Sequence, residues 1–533
     1  MKIRKLSAVL ALLVIFALLA TACGSQTQNR AVNTTEDTKS ADAGSTQQVD
    51  KPDPVTLSIF VNMDWYWVDS FGGRPVDDEI TKRTGIKLEV TKAAEQDNQL
   101  AILISSNDLP DLVYNGTKKL DPMLIKQSYS YNELIDKYAK DFIVEPEVIA
   151  NNTVEDGKFY TIKNNYSTPE EWRADNPRLV ASPGSPTLAI RQDILQELGN
   201  PEINTLADYE KVLGMVKTKH PDMNALALGP DQYGERYFKM LFGIKSGDSE
   251  IFEDNGAIKF QARDPHYLEA YKYMNKLYRN GYIDAESLIY KYEDFQQAIN
   301  NGKSFSAARS ADLYAEANKA FEQAGMPYKM AILSKMLTGE AGTVNDAIGW
   351  AGLYITKNCK APDRAIKFEQ FLRSEEGQKL CVWGIEGEHY TLTSDGYPEL
   401  TPKMTELAGD YTNMVQKVGN MAWSFAVTSK PEGVWNYSDS ERTQWLRLSK
   451  ERIKEFKPIY SFLVPTENIE ETAIYSKVVD YEKTQTVKLI SAKSEEEFNK
   501  AYDTMIKNLE SMGLVKLETW MTNKYNQIKS RFN

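Results

Sequence analysis

Hydrophobic positions along the chain change their spacing several times, and each change marks an element. Leu6–Leu19 is an apolar run broken only by Ser7, led by Lys2, Arg4 and Lys5 and closed by Ala20, Thr21 and Ala22 before Cys23. A basic start, a short apolar segment and a small-residue exit make a secretory signal over residues 1–22, cut before Cys23. Gly24–Pro54 is a polar tract with almost nothing to bury, so residues 23–54 read as a disordered tether. Order begins at Val55. Thr56–Val61 alternates as a strand, and Pro75–Ile80 opens a helix with Pro and acids in its first turn and Gly85 to stop it. Ile86–Val90 is a second strand, Gln96–Ser106 a second helix and Asp111–Tyr114 a third strand. This β-α-β-α-β succession predicts a parallel sheet covered by helices. Such sheets bind ligands outside the carboxyl ends of their strands. The loops Asn62–Trp67 and Tyr114–Gly116 fall there, and the first is rich in aromatics.

Beyond a hairpin signal at Glu155–Lys158 the pattern restarts. Thr187–Arg191 reads as a strand, Asp193–Leu198 as a helix stopped by Gly199, and Thr205 with Asp208 as a capping box. Ala225–Leu228 is a strand, and Tyr267–Arg279 a helix with Gly281 just past its end. Ala347–Ile355 returns to strand character and Asp363–Leu372 to helix; from Ser374 the chain is mostly helical, with a capping box at Ser494–Glu497. No repeat of solenoid period is present.

The charge balance narrows the partners. The segment before Cys23 holds three basic residues and no acid, so its removal takes the net charge from −12 to −15. An acidic surface disfavours nucleic acid and anionic lipid. The mature length asks for two or more domains. Only Cys359 and Cys381 follow Cys23, too few for a disulfide framework; they either pair or stay free and buried. No second apolar stretch approaches spanning length, so any membrane attachment is by lipid on Cys23. The small residues before Cys23 resemble a bacterial lipobox, with Ala20 where Leu is preferred; the alternative is an ordinary signal peptide.

Several stretches resemble the extracellular solute-binding proteins of ABC importers, in their larger lipoprotein branch. They are Ser105–Asp111 with its Asp-Leu-Pro-Asp, Asp156–Tyr160, Ile190–Leu195 with Leu198-Gly199, Trp383–Tyr390 and Pro465–Glu467. The resemblance implies an α/β fold of two lobes with parallel sheets, a hinge and a long helical C-terminal region. It further implies discontinuous domains: 55–165 with about 300–342 as one lobe, and 166–299 with about 343–533 as the other. Oligosaccharide-binding relatives carry a calcium loop of Asp and Asn. Here the matching stretch is Lys219–Asn224, whose two oxygen side chains do not make a calcium site, so no metal or other cofactor is expected.

The three histidines, His220, His266 and His389, are far apart, and no H-E-x-x-H, nucleophile elbow, P-loop or dinucleotide motif is present. The aromatics carry the positive case, since sugar rings stack on indole and phenol while hydroxyls need planar polar partners. Candidate ligand residues are Trp65, Trp67, Tyr114, Asn115, Arg191, Trp350, Glu388, Tyr390 and Trp423, each weighed against a plain packing role, and for Arg191 against pairing with an acid across the hinge. The reading is a monomeric, lipid-anchored, non-enzymatic subunit on the extracellular face of the cell membrane, capturing an oligosaccharide for ABC permease subunits. A secreted polysaccharide-degrading enzyme and a binding lipoprotein for a peptide or other solute are the alternatives.

Overall fold

The computed structural model describes residues 53–532, apart from 65, 67–68, 167, 171–185, 231–232, 312, 409–410, 420–440 and 466–468. The signal segment, Cys23, Trp65, Trp67 and Trp423 lie outside the described residues. Two four-stranded sheets organise the rest. Their strands, in chain order, are β1 (Val55–Val61), β2 (Ile86–Lys92), β3 (Leu112–Asn115), β4 (Pro186–Arg191), β5 (Asn224–Leu228), β6 (Ser304–Ser310), β7 (Met330–Ile332) and β8 (Gly352–Ile355).

The first sheet has the order β8-β3-β1-β2. β1 pairs in parallel with β2 (Val55 opposite Ile86) and with β3 (Ile59 opposite Leu112), whereas β8 runs antiparallel to β3 with Gly352 opposite Asn115. The alternation along β1 explains how both faces are covered. Leu57, Ile59 and Val61 enter a core shared with Val76 and Ile80, whereas Phe60 points the other way, to Leu100 and Ile104. The second sheet has the order β5-β6-β4-β7, with β5 parallel to β6 and β4 antiparallel to both β6 and β7. Leu188, Ile190, Leu226 and Leu228 face its large core, while Ala189, Ala227 and Ala307 let the helices carrying Phe295, Leu313 and Phe321 pack closely on the reverse face. Both sheets are therefore mixed, not purely parallel as the succession of elements suggested.

The grouping of segments also differs from expectation. Ser304–Ser310 and Met330–Ile332 belong to the second sheet, and Gly352–Ile355 to the first. The helix ending at Asn300 is joined to β6 by only three residues, too short a link to reach another sheet. The first irregular stretch long enough to cross follows Ile332, so the stretch 347–351 is connection and only Gly352–Ile355 is strand. From there Ala365, Phe368, Leu380 and Met414 build the first core. The C-terminal helices Glu470–Ile490, Glu495–Ser511 and Leu514–Ile528 pack with the second sheet's core through Val478, Met505, Leu509 and Leu517. Asn275 fixes them by donating to the carbonyls of Ile490 and Ala492 at 3.0 and 2.7 Å. The Thr205–Asp208 capping box forms, and Cys359 and Cys381 are both free and buried in the first core.

Where the C-terminal helices meet the helices Tyr233–Leu241 and Pro265–Arg279, the core holds acids. Glu235 accepts from the Tyr271 hydroxyl and, at 3.4 Å, from Thr486; the fully buried Glu482 accepts from the Tyr267 hydroxyl, and Lys239 donates to nearby Gln261 at 3.1 Å. Burial raises the Glu235 carboxyl to about 7, against the lowering effects of Tyr271 and Lys239, and Glu482 adds to the rise; Glu250 beside them is also raised to about 7, by burial and then Glu482. Such carboxyls hold their proton more tightly folded than unfolded. Their stabilising contribution is complete below the unfolded value near 4.5 and is lost as pH rises through about 7. The melting temperature is thus expected to fall across that interval. Glu235→Gln should flatten the fall by about 2–3 kcal/mol, and identical slopes for the two proteins in pH-resolved thermal melts would contradict the protonated cluster.

Candidate ligand-binding site

The segments that connect the two sheets meet at the edge of the first. Residues 160–166 leave the first sheet beside the start of β8, with Lys163 bridged to Gly352. The incoming segment 345–352 lies alongside. Asn164 holds the two together: its N–H donates to Ala351 O at 2.8 Å, its Oδ1 accepts from Ala351 N at 3.0 Å, and its carbonyl accepts from Trp350 N at 3.3 Å. Its Nδ2 then donates to the Tyr114 hydroxyl at 2.7 Å, with Asn164 fully buried. Gly349 passes so near that a Cβ there would sit 2.5 Å from the Asn164 carbonyl, and its φ of +87° suits glycine. At the other end, Asp346 accepts from the Asp248 and Ser249 amides at 2.9 and 2.8 Å, fixing the segment to the second core.

This junction stands at the carboxyl ends of β1 and β3, where a polar lattice closes the sheet. Asn62 donates to Asp97 Oδ1 at 2.9 Å and to Asn115 Oδ1 at 2.8 Å, and accepts from the Asp97 amide at 3.0 Å. Asn115 donates to Asp121 Oδ1 at 2.8 Å and to Thr117 O at 2.6 Å. Thr117 Oγ1 donates to Asp97 at 2.7 Å, and Lys163 pairs with Asp121 at 3.0 Å. Above the lattice sit the aromatics. Tyr114 lies 6.1 Å from Tyr66 and 6.4 Å from Trp350, centroid to centroid. Tyr66 and Tyr114 are fully buried, whereas Trp350 is half-buried, its ring resting on Gly116, where a Cβ would approach Cζ3 to 2.7 Å.

The site residues expected from sequence thus separate. Tyr114, Asn115 and Trp350 come together. Of these Trp350 offers a surface, while Asn115 and Tyr114 act as its buried support. Arg191 does not reach this edge as a ligand residue: it is 1% exposed, forks onto Asp193 at 2.7 and 2.5 Å, donates to Gly302 O at 2.9 Å and lies 3.8 Å over the Tyr328 ring. Nor does it pair across to the first sheet, because Asp193 is two residues along its own chain. Tyr390 is 4% exposed in the first core, edge-on to Trp383 at 5.5 Å, so it belongs neither to the second sheet's side nor to an open wall. Gly384 and Gly387, at φ +86° and +82°, fold the intervening turn back onto His389, which accepts from Ile385 N at 2.9 Å and leaves Glu388 exposed to solvent. The residues missed were Asn62, Tyr66, Asp97 and Asn164. Asn62 and Tyr66 lie in the aromatic-rich loop the sequence placed at the strand ends, where Trp65 and Trp67 were chosen instead; Asp97 and Asn164 carried no signal beyond being polar residues in connecting segments.

Among the described residues no three His, Cys, Asp or Glu side chains are grouped to hold a metal. In the stretch 219–224 the Lys217 ammonium donates to the carbonyls of Pro221 and Met223 at 2.7 and 3.0 Å, placing a side-chain cation on that turn.

Residues 76–384, more than half of the chain, match the model of the family described as bacterial extracellular solute-binding protein. The fructooligosaccharide ABC transporter substrate-binding protein FusA of Streptococcus pneumoniae is 30% identical over 237 residues, which cover 40% of this chain and 42% of that protein, less than half its length. Lipoprotein LipO of Bacillus subtilis is 22% identical over 408 residues, 72% of this chain and 75% of that one. Among solved structures, FusA in complex with kestose matches with a TM-score of 0.62 at 19% identity, over 89% of this chain and all of that one. A solute-binding protein from Bifidobacterium longum infantis, described as binding human milk oligosaccharides (HMO), gives 0.63 at 14% identity, over 89% and 99%. At these identities the structural matches speak to the fold.

Asn164→Ala would remove at once the buried amide that bonds the Tyr114 hydroxyl and the Ala351 N–H. A loss of about 1–3 kcal/mol for each unsatisfied group is expected, read as a lower melting temperature of the ligand-free protein. A melting temperature equal to wild type would refute the tie.

Proposed function

The chain belongs to the bacterial extracellular solute-binding proteins, and from that premise we propose that it captures an oligosaccharide between its two sheets and hands it to a membrane permease of the ABC type. The observation that carries the reading is the half-buried Trp350 ring, set on Gly116 at the carboxyl edge of β3 and backed by Tyr114, beside the amide and carboxylate lattice of Asn62, Asn115, Asp97 and Asp121. An indole face for the C–H side of a sugar ring, next to fixed planar polar groups, suits a saccharide better than an extended peptide, which asks for a free strand edge or backbone partners. The relatives named for fructooligosaccharides and human milk oligosaccharides support the same class.

The protein binds without chemistry. Asp97 and Asp121, the acids of the polar lattice, are engaged by Asn62, Thr117, Asn115 and Lys163, so neither is disposed as a free acid or base for glycoside cleavage. Contact with both sides of the cleft would favour the closed arrangement, the differential affinity that shifts such populations. Lipid on Cys23 would hold the protein at the extracellular face of the membrane, with residues 24–54 as its tether, and it works as a monomer.

A panel of kestose, a manno-oligosaccharide, an alginate oligosaccharide and oligopeptides tests the reading by thermal shift. A saccharide at a hundred times its Kd should stabilise the native state by ~2.7 kcal/mol. Trp350→Ala should cost about tenfold or more in affinity for it in the folded fraction, beyond any fall in ligand-free melting temperature from lost packing on Gly116 and Tyr114. Stabilisation by peptides alone would overturn the saccharide assignment. Cys23→Ala should move the protein from the detergent phase to the aqueous phase; an aqueous wild type would refute the anchor.

A further inference from the structure

The second sheet turns its own carboxyl edge to the connecting segments. β5 and β6 end together at Leu228 and Ser310, the chain enters β4 at Pro186 opposite Ser310, and it leaves for the first sheet after β7. The helix Tyr292–Asn300 precedes β6 by a three-residue link and so runs back along it, which sets its first residue at that same edge. There Arg309 meets Tyr292. The guanidinium carbon lies 4.3 Å over the Tyr292 ring, and Nη1 donates to the Tyr292 hydroxyl at 3.3 Å. Glu316, from the helix that follows β6, stands 3.8 Å from the guanidinium, beyond a hydrogen bond.

The two arginines of this sheet differ in what they have left to give. Arg191 is buried and committed to Asp193 and Gly302. Among the described residues Arg309 makes a single long hydrogen bond and a 3.8 Å ion pair with Glu316, although an arginine carries five N–H donors in a planar fork. Tyr292 is 40% exposed, and Ile289 beside it 73%. A guanidinium placed over a partly exposed ring at the carboxyl edge of the second sheet, with hydrogen-bond donors to spare, is fitted to two adjacent oxygens of a ligand.

We propose that Arg309, seated on Tyr292, orients the captured saccharide from the second sheet by donating to a pair of neighbouring oxygens while Trp350 receives a ring face from the first. This rests on the saccharide-binding reading. The oxygens are vicinal hydroxyls of a neutral sugar or the carboxylate of a uronate; both present the same paired acceptors.

Calorimetry with kestose, a manno-oligosaccharide and an alginate oligosaccharide tests it on the whole chain, wild type against Arg309→Ala, Arg309→Lys, Tyr292→Ala and Tyr292→Phe, with the ligand-free melting temperature of each. Whichever saccharide the wild type binds, both Arg309 variants and Tyr292→Ala should weaken it about tenfold or more, and Tyr292→Phe should keep it, all at unchanged melting temperature. An affinity that falls with salt and is confined to the alginate oligosaccharide identifies the carboxylate; a salt-independent one identifies hydroxyls. Full affinity in Arg309→Ala and Arg309→Lys overturns the proposal and leaves the saccharide reading standing. A wild type that binds no saccharide of the panel overturns both.

Discussion

The structure depends on one buried carboxamide. Asn164 has no exposure to solvent, and its polar atoms serve three elements together: the segment leaving the first sheet, the segment entering it, and the Tyr114 side chain at the end of β3. Burying an amide is costly unless every group finds a partner, so the arrangement is held in one geometry. The close passage of Gly349 follows from it, since a side chain there would collide with the Asn164 carbonyl. The seating of Trp350 follows as well. Its amide donates to Asn164 and its ring reaches Gly116, so the residue proposed to meet the ligand is placed by the connection between the two sheets.

That coupling gives the cleft a physical logic. A group useful for recognition must be preorganised and yet keep unused capacity. The lattice of Asn62, Asn115, Asp97, Thr117, Asp121 and Lys163 is preorganised and largely used up, which suits it to shape the wall. Arg191 is enclosed, with three of its donors committed to Asp193 and the Gly302 carbonyl and its guanidinium over the Tyr328 ring. Arg309 on Tyr292 combines a fixed stem with free donors. In the proposed reading, a rigid wall on one side and an arginine fork on the other would supply the differential contact through which a ligand draws two lobes together.

The C-terminal helices solve another problem. A sheet of four short strands buries little on its own, and three helices spanning 470–528 extend its core through Val478, Leu509 and Leu517. The junction is partly polar. Asn275 satisfies the carbonyls that end the Glu470–Ile490 helix, Arg263 pairs with Glu518 at 2.8 Å, and Glu235 and Glu482 are buried against tyrosine hydroxyls. Directional bonds of this kind fix where a helical layer docks; a wholly apolar contact would leave its register less defined.

Local pattern was sufficient for the elements themselves. The alternation in β1, the glycine stops at Gly85 and Gly199 and the Thr205–Asp208 box are read within a few residues, because backbone preference and capping act over that range. The placing of the first strands' carboxyl ends, with Tyr114 and Asn115 at them, was equally legible; that of Trp350 was not, because the segment from about 343 onward was assigned to the other lobe. The company each strand keeps was not. Whether β6, β7 and β8 join one sheet or the other turns on which link is long enough to cross, and β6 slots between β4 and β5, far away in sequence. The same limit explains the arginines and the Trp383–Tyr390 turn. Arg191 and Arg309 each sit at or near a strand end, and only packing settles that one is enclosed by Asp193, Gly302 and Tyr328 while the other lies open on Tyr292. Sequence fixes the donors a side chain carries; the tertiary structure decides how many are already taken, because hydrogen-bond partners are drawn from elements far apart along the chain.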